Sequence, residues 1–471
     1  MADHVITDYG TVGAGQESDS AAIQRAIDAC HATGGGRVVV PEGRTFVSGS
    51  FELKSGVELH VQRGATIRGA TRLEDYPLLA MMAGSEARLR RAEAASAAQP
   101  GKRVMIFAKG AHDISITGQG TIDGNSPAFA IEEGDHSYTR TLPWRPATTC
   151  FVGCRDVSVR DVTFRNAANW TLHFSGCEDV VVARVKILND LKFPNCDGID
   201  PDHCRRVTVR DCHIEAGDDC IVLKNTLPFA EYGPCEDIHV SNCRLVSTSS
   251  AIKIGSESRD DFRRISFENI RIERSNRGVA IQLRDGGDVE DVAFRNIEIQ
   301  TRLFAPSWWG AGEPVYVTAV PRNGDGGVGR VRNVTFENIR CRGEGGVFVY
   351  GSSPDRIDGV RFSNVSVHVV KSSSWPAGRY DLRPCDPATL PRGARCDGEP
   401  TPSGAPCHRD TPAVYVENAT RVSMRGVETE FIGDIPDSYT HALEAHTAPL
   451  LDLGGFSGTA AHPGLTDRLI D

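Results

Sequence analysis

One short phrase recurs along the chain and limits what the chain can fold into. It reads Cys154-Arg-Asp-Val157-Ser-Val-Arg-Asp-Val-Thr-Phe164 and returns at Cys177-Glu-Asp-Val180, Cys204-Arg-Arg-Val207 and Cys235-Glu-Asp-Ile238. Without the cysteine it continues at Ile265, Val292, Val334, Val360 and Val422, with a looser copy at Ile114. The gaps from Val157 through Val180, Val207, Ile238 and Ile265 to Val292 are 23, 27, 31, 27 and 27 residues. Within each copy apolar and polar residues alternate, the period of a strand with one buried face. An Asn follows the anchor by four residues at Asn242, Asn269, Asn296, Asn338 and Asn364. Asn tolerates left-handed backbone and bonds its own chain, so it suits a tight bend at one place in every repeat. A second strand follows, as in Ala251-Ile-Lys-Ile254 and Val347-Phe-Val-Tyr350.

Repeats of this length, made of strands and bends, predict an all-β chain wound as a single right-handed parallel β-helix over residues 1–471. One coil cannot bury its apolar face, whereas stacked coils share a continuous core. A propeller blade would need about 40 residues and four strands. A leucine-rich repeat would need a leucine pattern that is absent. Cys154, Cys177, Cys204 and Cys235 share one register, three residues before the anchor. They predict a column of buried thiols that stays reduced. Residues 19–30 place apolar side chains at helical spacing after a polar start. A helix over about 19–31, inside an N-terminal cap of 1–45, would close the open end of the core. Stretches near 71–102, 125–148, 302–312 and 371–410 break the period and predict functional loops. The spacing of Cys396, Cys407 and His408 matches no common zinc pattern, so no metal is expected there.

Composition narrows the function. The chain has 471 residues, 40% of them hydrophobic, enough for a sizeable core. A net charge of −10 gives no drive toward nucleic acid or an anionic membrane. No apolar run is long enough to span a bilayer. The first residues lack a basic segment followed by an apolar one, which predicts a cytoplasmic protein unless a secretory signal has been cut away. Oligomeric state is not legible.

Acidic residues gather in Asn195-Cys-Asp197-Gly-Ile-Asp200-Pro-Asp202 and Gly217-Asp218-Asp219. The two segments hold equivalent places in consecutive repeats, and stacked strands lie roughly 4.8 Å apart. Asp197 should therefore face Asp218 and Asp219. Carboxylates that close repel, so at least one keeps its proton, giving an acid beside a base. Glycosidic hydrolysis uses that pairing. The same residues also suit turns or a Ca²⁺ site.

These motifs resemble those of the polygalacturonases, glycoside hydrolase family 28, with the pectin-lyase-like β-helix. The likeness runs from about Ile6 to Val427. It includes Asn169-Trp-Thr-Leu-His173 and Gly118-Gln-Gly-Thr-Ile-Asp-Gly124. The resemblance implies Asp218 as general acid and Asp197 and Asp219 as activators of water, with inversion and no cofactor. Inversion implies roughly 6.5–9.5 Å between acid and base.

Two family motifs differ. Ser250 stands where the family has a His, and Ala280 and Gln282 stand where it has Arg and Lys. The chain has only eight lysines. Strand alternation turns Lys224 and Lys253 away from the core, as candidates for holding a substrate carboxylate with Asn195, Arg277, Gln282 and Arg284. His173 and His203 are candidates for sugar hydroxyls; Trp308, Trp309 and Tyr316 could stack on a sugar ring. The expectation is an exo-acting hydrolase of pectic oligosaccharides. The alternatives are another pectic linkage or a neutral glycoside, a Ca²⁺-dependent lyase or epimerase, and a non-catalytic glycan-binding β-helix.

Overall fold

The computed structural model describes residues 3–11, 13–79, 103–305, 308–322, 327–382, 390–396 and 407–471. The chain forms two units, Met1–Cys243 and Arg244–Asp471, and each is a stack of parallel coils. The fold is the right-handed parallel β-helix that the repeats predict.

In the first unit a coil turns through three short strands. One coil is Arg155–Arg160, Thr163–Arg165 and Leu172–Ser175; the next is Glu178–Ala183, Lys186–Leu188 and Ile199–Asp202. A third is Arg205–Arg210, His213–Ala216 and Ile221–Asn225. Val157 pairs with Val180, Val180 with Val207 and Val207 with Ile238. The repeat anchors of the sequence are thus the register of the sheet. Phe164, Ile187 and Ile214 align on the second face, and Leu172, Ile199 and Ile221 on the third. All six are fully buried and line one core. Cys154, Cys177, Cys204 and Cys235 are buried free thiols, as expected.

The helix Ser20–Ala32 buries Ala22, Ile23, Ala26, Ile27 and Cys30 against the strands Gly36–Val40 and Phe51–Glu52. A helix satisfies its own backbone, so it ends strand pairing where it lies. The strands begin earlier than the sequence suggests. Asp3–Val5 precedes the helix and pairs with Gly36–Val40; three residues are too few to display an alternation. Residues 125–148 hold a hairpin, Ala130–Glu133 against Tyr138–Thr141.

In the second unit the bend is absorbed into long strands: Phe262–Ser275, Val289–Thr301, Val331–Gly343 and Ile357–Val370. Asn269, Asn296, Asn338 and Asn364 occupy it at φ 56, 55, 55 and 55°. Each Asn amide donates to the side-chain oxygen of the one before, at 3.1, 3.0 and 2.7 Å. Phe267, Phe294, Phe336 and Phe362 stack at 5.1, 4.9 and 5.0 Å between centroids. Within 371–410, Arg379–Tyr380, Arg395–Cys396 and Cys407–His408 form a small antiparallel sheet. Residues 80–102 of the first insertion, 306–307 of the third, and 383–389 and 397–406 of the last lie outside the described residues. Among the described residues no helix is long and apolar enough to cross a membrane.

Candidate active site

The turn carrying Asp197 leads into the strand Ile199–Asp202, and Asp218 and Asp219 lead into Ile221–Asn225 one coil on. The Gly198 amide donates to the Asp219 carbonyl at 2.9 Å, so the two turns touch. Glycine makes that contact possible. A Cβ on Gly198 would lie 2.4 Å from the Cys220 oxygen, and one on Gly217 2.4 Å from the Phe193 oxygen. Carboxylate oxygens of Asp197, Asp218 and Asp219 come within 4.8 Å of one another. The residues are 3, 6 and 2% exposed. The structure therefore brings together the three acids that the sequence grouped.

Their spacing corrects one expectation. The nearest oxygens are closer than the roughly 6.5–9.5 Å assigned to an inverting acid and base. Groups at one position of consecutive coils are separated by one strand spacing, about 4.8 Å, which brings the nearest oxygens this close. Among the described residues this is the one group whose spacing also suits a metal ion.

Asp218 is held from the side of Asn195. Asn195, at φ 57°, donates its backbone N–H to Asp218 Oδ2 at 3.3 Å and its amide to the same oxygen at 3.5 Å. The Asp219 amide donates to Asp218 Oδ1 at 3.1 Å. Arg145 steadies the same turn from the insertion 125–148. It donates to Pro194 O at 2.7 Å, Ala168 O at 2.9 Å and Asn195 Oδ1 at 2.9 Å. Burial lowers the Arg145 pKa, against the opposing charges of Asp218 and Asp197. Sequence reading missed Arg145 because an insertion has no repeat position to reason from.

Behind Asp197 lies Lys224, only 5% exposed. Its Nζ is 3.5 Å from Asp197 Oδ2, 3.7 Å from Asp200 Oδ1 and 4.6 Å from the Trp170 ring centre. Lys224 was expected to face an open groove. It points away from the core as alternation predicts, but Trp170 covers it. His173 also departs from expectation. It is fully buried, with Nδ1 3.3 Å from Cys150 Sγ and Nε2 2.9 Å from Ser175 Oγ and 3.4 Å from Asp202 Oδ2. A ring so enclosed does not reach sugar hydroxyls. His203 directs its ring nitrogens at the carbonyls of Gly233 and Thr226. Asp202 accepts from Thr226 N at 2.9 Å and Thr226 Oγ1 at 2.6 Å. Burial pushes the Asp202 carboxyl up; the His173 hydrogen bond, the neighbouring His203 and His173 charges and the Thr226 hydroxyl outweigh it. They hold it well below the usual carboxylate range. Asp200, Asp202 and Trp170 were visible only as members of motifs, with no role attached.

The second unit holds the remaining candidates. Lys253 is half-buried between the buried Ile252 and Ile254, as alternation predicts. It pairs with Ala280, Ser250 with Arg277 and Gly255 with Gln282. Gln282 and Arg284 are each 4% exposed. Arg284 donates to Pro321 O at 3.3 Å, and burial lowers its pKa to about 10. Arg277 is a correction. It is wholly buried, 3.3 Å from Glu313 and 3.7 Å from Asp381, and stacks 3.8 Å over Tyr316. Its guanidinium is spent on the protein itself. Tyr316 is enclosed beneath it and donates to Asp381 O at 2.8 Å, so it offers no face to a sugar. Trp308 and Trp309 are half-buried, and Asn276 donates to the Trp309 carbonyl at 2.6 Å.

The model of glycosyl hydrolases family 28 matches residues 30–377. The chain belongs to family 28. It is a glycoside hydrolase of the β-helix type, and the inverting mechanism is typical of the family. It is similar to a probable polygalacturonase of Vitis vinifera, with 27% identity over 77% of this chain and 74% of that protein. An exo-poly-alpha-D-galacturonosidase of Dickeya chrysanthemi is 26% identical over 62% of this chain and 54% of its own length. A family 28 exopolygalacturonase structure from Yersinia enterocolitica superposes with a TM-score of 0.68 at 18% identity, covering 97% and 79% of the two chains. That last likeness shows the fold.

Proposed function

We propose that the chain removes terminal sugars from galacturonide-type oligosaccharides, with Asp218 as general acid and Asp197 and Asp219 as the pair that activates water. The observation that carries this reading is the touching turns that hold three buried carboxylates within 4.8 Å. Asp218 gives its proton to the glycosidic oxygen as the bond breaks. Water held against Asp197 and Asp219 loses a proton and attacks the opposite face. With two carboxylates side by side on the water, the water need not fit between acid and base.

An exo mode is supported by the hairpin of residues 125–148. It stands beside the triad: Tyr138 N donates to Lys192 O at 3.0 Å, and Lys192 pairs with Glu133 at 2.7 Å. A wall there would close one end of a groove. The Dickeya relative carries an exo activity in its name. Ala280 and Gln282 remove two cations of the family, which favours a second reading in which the sugar beside the scissile bond carries no carboxylate.

The test is a panel of oligogalacturonides, other pectic oligosaccharides and aryl glycosides, incubated with wild type and Asp218→Asn. Chromatography should show one monosaccharide released by wild type, and Asp218→Asn should lower kcat about 10²–10⁴-fold. An unsaturated product would move the protein to the lyases. Equal glycan binding without cleavage by either would leave a binding module.

A further inference from the structure

Lys224 lies in the strand that follows Asp218 and Asp219, Ile221–Asn225. Its ammonium lies between two carboxylates, 3.5 Å from Asp197 and 3.7 Å from Asp200, with the Trp170 face 4.6 Å away. Its side chain is 6% exposed, and that of Asp200 not at all. The Lys224 ammonium already faces two carboxylates of the protein itself, Asp197 and Asp200. It adds little to stability: taking a Lys and its partners out of water costs about as much as their attraction returns. Its place beside Asp197 suggests what it does.

We propose that Lys224 is a positioning residue whose fixed positive charge keeps Asp197 ionised and aimed, so that Asp197 serves as base among neighbours that would otherwise protonate it. The proposal rests on the hydrolytic roles given above. Asp197 faces Asp218 and Asp219 on the next coil, Arg145 from the insertion and the buried thiol of Cys196, and Asp200, in the strand that follows, lies on the other side of Lys224. His173 lies behind Trp170, at 4.8 Å between rings, and carries Asp202 with it. Asp197, Asp200, Asp218 and Asp219 are thus grouped around the Lys224 ammonium and the Arg145 guanidinium, with Asp202 further back. Trp170 adds its ring face to the cation's partners. Asp200 anchors Lys224 from the far side and draws part of its charge away from Asp197.

The test is the pH profile of kcat/KM for wild type, Lys224→Met, Lys224→Arg and Asp200→Asn, with thermal denaturation of each. An opposite charge this close moves a carboxylate pKa by about 1–3 pH units. In Lys224→Met the acidic limb should therefore move up by about one pH unit or more, with activity partly regained at higher pH and KM little changed. Lys224→Arg should restore the limb. Asp200→Asn, which leaves Lys224 to Asp197, should move the limb down. The proposal is overturned if kcat falls equally at every pH in Lys224→Met, as for a structural role. A rise in KM alone, as for a substrate clamp, overturns it as well. If Lys224→Met does not fold, an unmoved limb in Asp200→Asn overturns it. An active Asp218→Asn would instead remove the hydrolytic reading beneath it.

Discussion

A methyl group on Gly198 or Gly217 would collide with the adjoining coil's backbone, so only glycine lets the turns bearing Asp197 and Asp218 touch. Both glycines could be read in the sequence as turn formers, but the collision partners, Cys220 and Phe193, could not. The same limit applies to Lys224. Alternation says which way a strand side chain points, not what covers it, and Trp170 comes from another coil. The acids were legible because equivalent positions of consecutive repeats must be neighbours. Asp202 carries a prediction about acid stability. Its folded pKa is held below the unfolded value, so its contribution is complete above about pH 4 and is lost as pH falls toward the folded pKa. Urea midpoints of wild type and Asp202→Asn should differ most near pH 6 and converge toward pH 2. A gap that does not change with pH would mean that the Asp202 charge contributes nothing.

The strand ladders draw their stability from columns of like residues. Phe294 lies between Phe267 and Phe336, stacked at 5.1 and 4.9 Å and fully buried. Phe294→Ala should cost about 3–5 kcal/mol, the transfer loss plus the cavity. A loss under about 1 kcal/mol in denaturant titration would show that neighbouring coils collapse into the space. Both columns of this unit were foreshadowed in the repeats. The Asn spacing predicted the bend, and the Phe column shares the anchors' face. The stack also explains the elements that sequence missed. Asp3–Val5 is too short to alternate, yet pairs because Gly36–Val40 offers an edge. The enclosure of Arg277 depends on Glu313 and Asp381, and Asp381 lies in an insertion that repeat logic does not reach.

For the whole molecule, a repeat that sets strand register also sets how far apart Asp197, Asp218 and Asp219 stand. Coil spacing holds them within 4.8 Å, whereas the usual rule puts an inverting pair roughly 6.5–9.5 Å apart and a retaining pair at about 5–5.5 Å. An inverting mechanism is typical of family 28, and the water-activating roles proposed for Asp197 and Asp219 imply it, whereas oxygens this close would also suit a nucleophile. One measurement separates the two: proton NMR of the sugar released in the first moments of hydrolysis, before its anomers interconvert. The account predicts that the first-formed anomer has the configuration opposite to the bond cleaved. A first-formed anomer of the same configuration would contradict it, and would make one of the three aspartates a nucleophile.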